Sequence, residues 1–155
     1  MSFVVTGLDP KPFAHLYGLS DAALKEHGAY RYTADSSPGF PDRVEMRDAD
    51  IGETLLLLNH SSMDKDTPYK TSHAIFVREG ADARYQEADV IPPVMHRRPL
   101  SLRAFDSAGM MVDAALAEGD AIATTVQRLL DNPSVDCIHA HYALRGCYAG
   151  LITRS

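Results

Sequence analysis

The chain has 155 residues, and its fifteen Lys and Arg against twenty-one Asp and Glu leave a formal charge of −6. Apolar residues make up 45% and charged residues 23%, which allows one sizeable core and excludes long disorder. The acids are dispersed and no basic stripe runs along the chain, which excludes a nucleic-acid partner held through its phosphates. A single α+β domain over 1–155 is the expectation from this length. The opening MSFVVTGLDPKPF has neither a basic leader nor the roughly 7–15-residue apolar core of a secretion signal. No apolar run approaches the roughly 18 residues of a membrane span. The expected address is the cytoplasm, where Cys137 and Cys147 would remain thiols.

In chain order, FVVTGL reads as a first short strand, and LSDAALKEHG as a brief helix with Ser20 as N-cap and Gly28 at the stop. AYRYTA alternates as a strand and is ended by residues 35–42, where Pro38, Gly39 and Pro41 forbid regular structure. RVEMR alternates again and predicts another short strand. After the turn DADIGE, the continuous apolar run TLLLLNH predicts a strand covered on both faces, at the centre of the sheet. The polar loop SSMDKDTPYKTS precedes a further strand, HAIFVRE. The stretch from Arg84 to Pro99 holds Pro92, Pro93 and Pro99, so it is expected to be irregular or at a sheet edge.

The last third has the clearest patterning. SLRAF and MMVDAAL make a hairpin across DSAG. Ile122, Val126, Leu129 and Leu130 recur at helical spacing, which predicts the main helix over about 120–131, with Asp120 as N-cap and Asn132-Pro133 as stop. VDCIHAHYA and CYAGLITR form a C-terminal hairpin across LRG. Strand, strand, helix, strand, strand implies a mainly antiparallel sheet with that helix packed on one face.

The ordered set Pro38-Gly39, Pro41, Arg43, Asp48-Ala49, Gly52-Glu53, Pro68-Tyr69, Ser72, Ile75-Phe76 and Gly146-Cys147 resembles the uncharacterised bacterial family catalogued as domain of unknown function 1203. The likeness runs from about Leu19 to Arg154. It implies one compact α+β domain and no particular activity. It also implies a cysteine where this chain has Asp42 and an asparagine where it has Tyr142, so chemistry needing those two groups is not carried over.

The densest reactive cluster is CIHAHYALRGC, Cys137 to Cys147. With LRG as a three-residue loop closed by a left-handed Gly146, Ala143 pairs with Cys147, His141 with Ala149 and His139 with Leu151. Cys137, His139, His141 and Cys147 then share one face, while Ile138, Ala140, Tyr142, Tyr148 and Ile152 share the other, more apolar one. At ~3.3 Å per residue the two cysteines lie on the order of 20 Å apart, which excludes a disulfide. The His-x-His spacing can chelate a metal, but further ligands would have to come from His73, His96 or Asp136, and no metal is assigned. Cys147 beside Arg145 and diagonal to His141 is a thiolate candidate, against the plainer reading of a small side chain packed after a glycine turn.

Two readings remain. The first is a domain that binds a polar or anionic small molecule, with or without catalysis, on the His139/His141 face, helped by His73, Arg43, Arg103, Arg145 and Cys147. His96, Arg97, Arg98 and Arg103 form the one local run of basic residues, a second place for a small anion or else a solvated face. Arg43 has a plainer reading as well, fastening its loop to Asp35 or Asp48. The second reading is a structural or interaction module, homodimeric through a strand edge or through the AIFV and GLIT segments, with no catalytic activity. No nucleotide loop, hydrolase elbow or zinc-protease motif is present, and no cofactor is assigned.

Overall fold

A computed structural model describes residues 2–155. Its elements are β1 (Phe3–Thr6), α1 (Asp21–Glu26), β2 (Tyr30–Thr33), β3 (Thr54–Met63), β4 (Thr71–Arg78), β5 (Gln86–Ala88), α2 (Pro93–His96), β6 (Leu100–Phe105), β7 (Met111–Ala117), α3 (Ala121–Leu130), β8 (Cys137–Tyr142) and β9 (Tyr148–Arg154). The protein is α+β, mainly antiparallel, with one main helix and a C-terminal hairpin. Among the described residues no helix is long and apolar enough to cross a membrane.

The chain divides into two compact units. The first comprises residues up to Thr6, Ser61–His73 and Gln86–Ser155; the second comprises Gly7–His60 and Ala74–Tyr85. In the first unit six antiparallel strands run in the order β5-β1-β9-β8-β6-β7. One face of this sheet presents Leu102, Ala104, Ile138, Ala140 and Ile152, all fully buried. Against it lies α3, whose Ile122, Val126, Leu129 and Leu130 are buried as their spacing predicts, each contributing roughly 1.5–3 kcal/mol. Arg154 at the end of β9 ties down the chain beyond that helix, donating to the carbonyls of Leu130 at 2.6 Å and Asn132 at 2.8 Å. Asp120 sits before α3 but does not cap it: its backbone is already helical and its carboxylate accepts from the His96 ring at 2.9 Å instead.

In the second unit the order is β2-β3-β4, so the apolar run is central in this smaller sheet and not in the larger one. Leu55 and Leu56 are both fully buried, as expected of a strand covered on two sides. Ser20 caps α1, its hydroxyl accepting from the Ala23 N–H at 3.1 Å.

RVEMR is not a strand. The Asp42 carboxylate accepts from the N–H groups of Val44 and Glu45, folding the chain back on itself, and the Asp42 N–H donates to the Arg47 carbonyl at 2.9 Å. Met46 completes the reversal at φ 55. Val44 and Met46 are buried as their alternation suggests, but their backbone is held by a turn. Pro92-Pro93 starts α2, with proline in its first turn, where the missing N–H has no helical partner to lose. β5, only three residues long, is an edge strand, as the proline-rich stretch implies.

Candidate functional site

The face of the larger sheet opposite α3 carries the histidines. Arg103 on β6 pairs with His139 on β8, and Ser101 with His141, so these four side chains leave the same side. On the other flank His139 pairs with Leu151, as expected, but the register shifts after Ala140, and His141 lies opposite Tyr148. The loop is therefore longer than LRG: the N–H of Gly146 reaches the Tyr142 carbonyl at 2.7 Å, and the Tyr142 N–H reaches the Cys147 carbonyl at 2.9 Å. Gly146 is left-handed at φ 78, as the turn requires. The expected pairings of His141 with Ala149 and Ala143 with Cys147 are thus replaced. Tyr148 moves to the histidine face, and the alternation that put Cys147 beside His141 is broken.

Around the two imidazoles the rings of Tyr148 and His73 pack edge to face and that of Phe105 packs tilted. The Tyr148 ring centroid lies 5.5 Å from that of His139 and 5.8 Å from that of His141. Phe105 lies 4.9 Å from His139, His73 lies 5.1 Å from His141, and Tyr69 packs on Phe105 at 6.0 Å. The loop 64–70 reaches the β6–β7 turn: the Lys65 ammonium donates to the Ser107 carbonyl at 2.6 Å, and the Thr67 hydroxyl to the Gly109 carbonyl at 3.1 Å. This approach needs a glycine, because a Cβ on Gly109 would meet the Lys65 side chain at 2.9 Å. His139 is 7% and His141 1% exposed.

Burial sets the electrostatics. Desolvation pushes His141 down to about 4, and Arg103 and the neighbouring imidazoles push in the same direction. His73 is lowered too, by desolvation first and by Arg103 second. Both rings are therefore neutral at pH 7. The Nδ1 of His141 lies 2.9 Å from the Gly146 carbonyl, which can only accept, so Nδ1 carries the proton and Nε2 the bare lone pair. The Nδ1 of His73 is buried and has no hydrogen-bond partner among the described residues. Arg103 is half-buried. Its guanidinium donates from Nε to the Ser101 hydroxyl at 3.3 Å, and among the described residues it has no carboxylate partner. No group of three or more His, Cys, Asp or Glu side chains among the described residues is arranged to hold a metal.

A family profile described as Protein of unknown function (DUF1203) matches residues 39–154. The chain belongs to this family. No curated protein and no solved structure matches it. The DUF1203 match contains every member of the imidazole cluster, from Tyr69 to Tyr148, whereas β1, α1 and β2 lie before it.

The remaining expected residues are dispersed within the DUF1203 region. Arg145 sits exposed in the hairpin turn, and Cys137 and Cys147 are thiols outside any disulfide. The basic run is split: the Arg98 guanidinium lies 5.4 Å from the ring centroid of Tyr142, which alternation puts on the α3 side, while Arg103 is on the histidine side. Arg43 belongs to the second unit, where it is buried and donates to the Pro41 carbonyl. There too lies Asp42, 1% exposed and accepting from the backbone N–H of Arg78, Glu45 and Val44. Burial raises the Asp42 carboxyl despite these bonds, and a group so enclosed acts as a structural knot. Beside α1 a depression lined by Asp21, Lys25, Tyr30 and Arg31 has its guanidinium already engaged, by Glu79 at 2.7 Å and Asp21 at 2.6 Å. Ser101, Phe105 and Tyr148 were not among the expected residues. Only Ser101 and Phe105, sharing the parity of Arg103 in SLRAF, carried a signal that could have found them.

Proposed function

We propose that this domain binds a small polar or anionic molecule on the His139/His141 face of its larger sheet. The observation that carries the reading is Arg103, a half-buried cation without a carboxylate partner among the described residues, standing on the same face as His139 and His141. Taking a guanidinium partly out of water is unfavourable unless a charge or strong acceptor meets it, and a ligand anion supplies that partner. The neutral rings of His141 and His73 add hydrogen-bonding capacity without adding charge. With His141 held at about 4, its Nε2 is a weak base at neutral pH, which favours binding over proton abstraction as its role.

The same rings also support the structural alternative, because Tyr148 and Phe105 pack on the imidazoles as in an ordinary interior. Thermal midpoints of the parent, of the His139→Ala/His141→Ala double variant and of Arg103→Gln, each recorded with a panel of small anions, separate the two. Upward shifts in the parent that vanish in Arg103→Gln support binding. A fall in midpoint in the double variant, with no anion response in the parent, leaves the structural module.

A further inference from the structure

The face that carries Arg103 does not end at β6. It continues onto the edge strand β7, where Ala114 lies directly opposite Arg103 and Leu116 opposite Ser101. Ala114 is exposed, and Leu116 is 77% exposed. Directly opposed residues have Cβ atoms about 5 Å apart, so the hydrocarbon of β7 adjoins the guanidinium on one open strip of sheet. We propose, resting on the anion-binding reading above, that the ligand is a monocarboxylate carried on an apolar body, its carboxylate received by Arg103 and Ser101 and its body lying along Ala114 and Leu116.

Three features argue for this class. A guanidinium is a planar fork whose two parallel N–H groups match the two oxygens of a carboxylate, and the Nε bond to Ser101 fixes the plane of that fork. The strip supplies one formal cation, since its β8 neighbours are imidazoles and its β7 neighbours are Ala and Leu. One cation balances one negative charge, whereas a phosphate dianion would leave a charge uncompensated against desolvated rings. A leucine exposed beside a half-buried cation offers apolar area that an inorganic anion cannot cover and a fatty or aromatic tail can.

Titration calorimetry with hexanoate, hexanamide, acetate and inorganic phosphate on the parent, Arg103→Gln, Arg103→Lys and Leu116→Ser tests the assignment. Hexanoate is expected to bind the parent and hexanamide not. Binding should weaken by at least about tenfold in Arg103→Gln, less in Arg103→Lys, which keeps the charge and loses the fork, and by roughly fivefold in Leu116→Ser. If phosphate or acetate binds the parent as tightly as hexanoate and Arg103→Gln removes both, the anion site stands and the monocarboxylate class is overturned. Hexanoate binding unchanged by Arg103→Gln overturns the placement. If none of the four binds the parent, both this proposal and the reading beneath it fail.

Discussion

Lowering the pH should unfold this protein through His141. Its folded value is about 4 against an ordinary 6.5, because the ring has lost its water and faces Arg103. The unfolded chain therefore binds the proton first. For a histidine lowered in this way, the stability contribution is intact above pH 6.5 and is lost as pH falls towards 4. Linkage between these two values gives a loss of roughly 2 kcal/mol from pH 7 to pH 5 and about 3 kcal/mol by pH 4. His73, lowered for the same reasons, adds in the same direction. Glu53 and Glu79, both held near 2 by arginines, lose their contribution only as pH falls below about 4.5, so they leave the upper part of the window clear. Asp42, raised by burial, works in the opposite sense. Its effect cancels when the parent is compared with His141→Gln, which does not titrate and whose amide can still donate to the Gly146 carbonyl. Urea titrations at pH 7, 6 and 5 should show the parent midpoint dropping relative to the variant by roughly 1 M. Parallel decline of parent and variant would refute the account of His141 as a desolvated, uncharged ring.

The glycines give a paired test by chemical denaturation. Gly146 has φ 78 and open space around its Cβ position, so Gly146→Ala should cost only the left-handed penalty, about 1–2 kcal/mol. Gly109 has φ 85 and would place a Cβ 2.9 Å from Lys65 Cδ and 3.3 Å from Met63 Sδ, so Gly109→Ala should cost about 1–3 kcal/mol more and speed proteolysis within 64–70. Asp42→Ala should destabilise by roughly 3–5 kcal/mol, because three backbone N–H groups lose their acceptor; Asp42→Asn, which retains one carbonyl oxygen, should cost less.

How much of this was legible in the sequence depends on what each feature requires. The helix α3 and the two late hairpins follow from local periods and turn residues. The turn over residues 42–47 does not: Val44 and Met46 alternate like a strand and are buried like one, but an aspartate at the start of the segment captured the N–H groups a ladder would need. Proline directly followed by aspartate was the available warning.

The site divides along the same line. Two histidines at i and i+2 on one strand face the same way in any register, so the sharing of one face by His139 and His141 survives the error in loop length. Which residue lies across from them is a register property, and register follows the hairpin loop. An extra residue near Gly150, a glycine inside a strand and hence a usual mark of a bulge, exchanged Ala149 for Tyr148 opposite His141. That one-residue slip sets Tyr148 against both imidazoles and breaks the alternation that put Cys147 on their side. A reactive cluster read from sequence is in the fold a desolvated surface, with His141 uncharged at neutral pH and the Arg103 cation beside it. Parity along one strand was readable from the sequence, as was the pairing of His139 with Leu151, whereas the pairing beyond the bulge had to come from the fold.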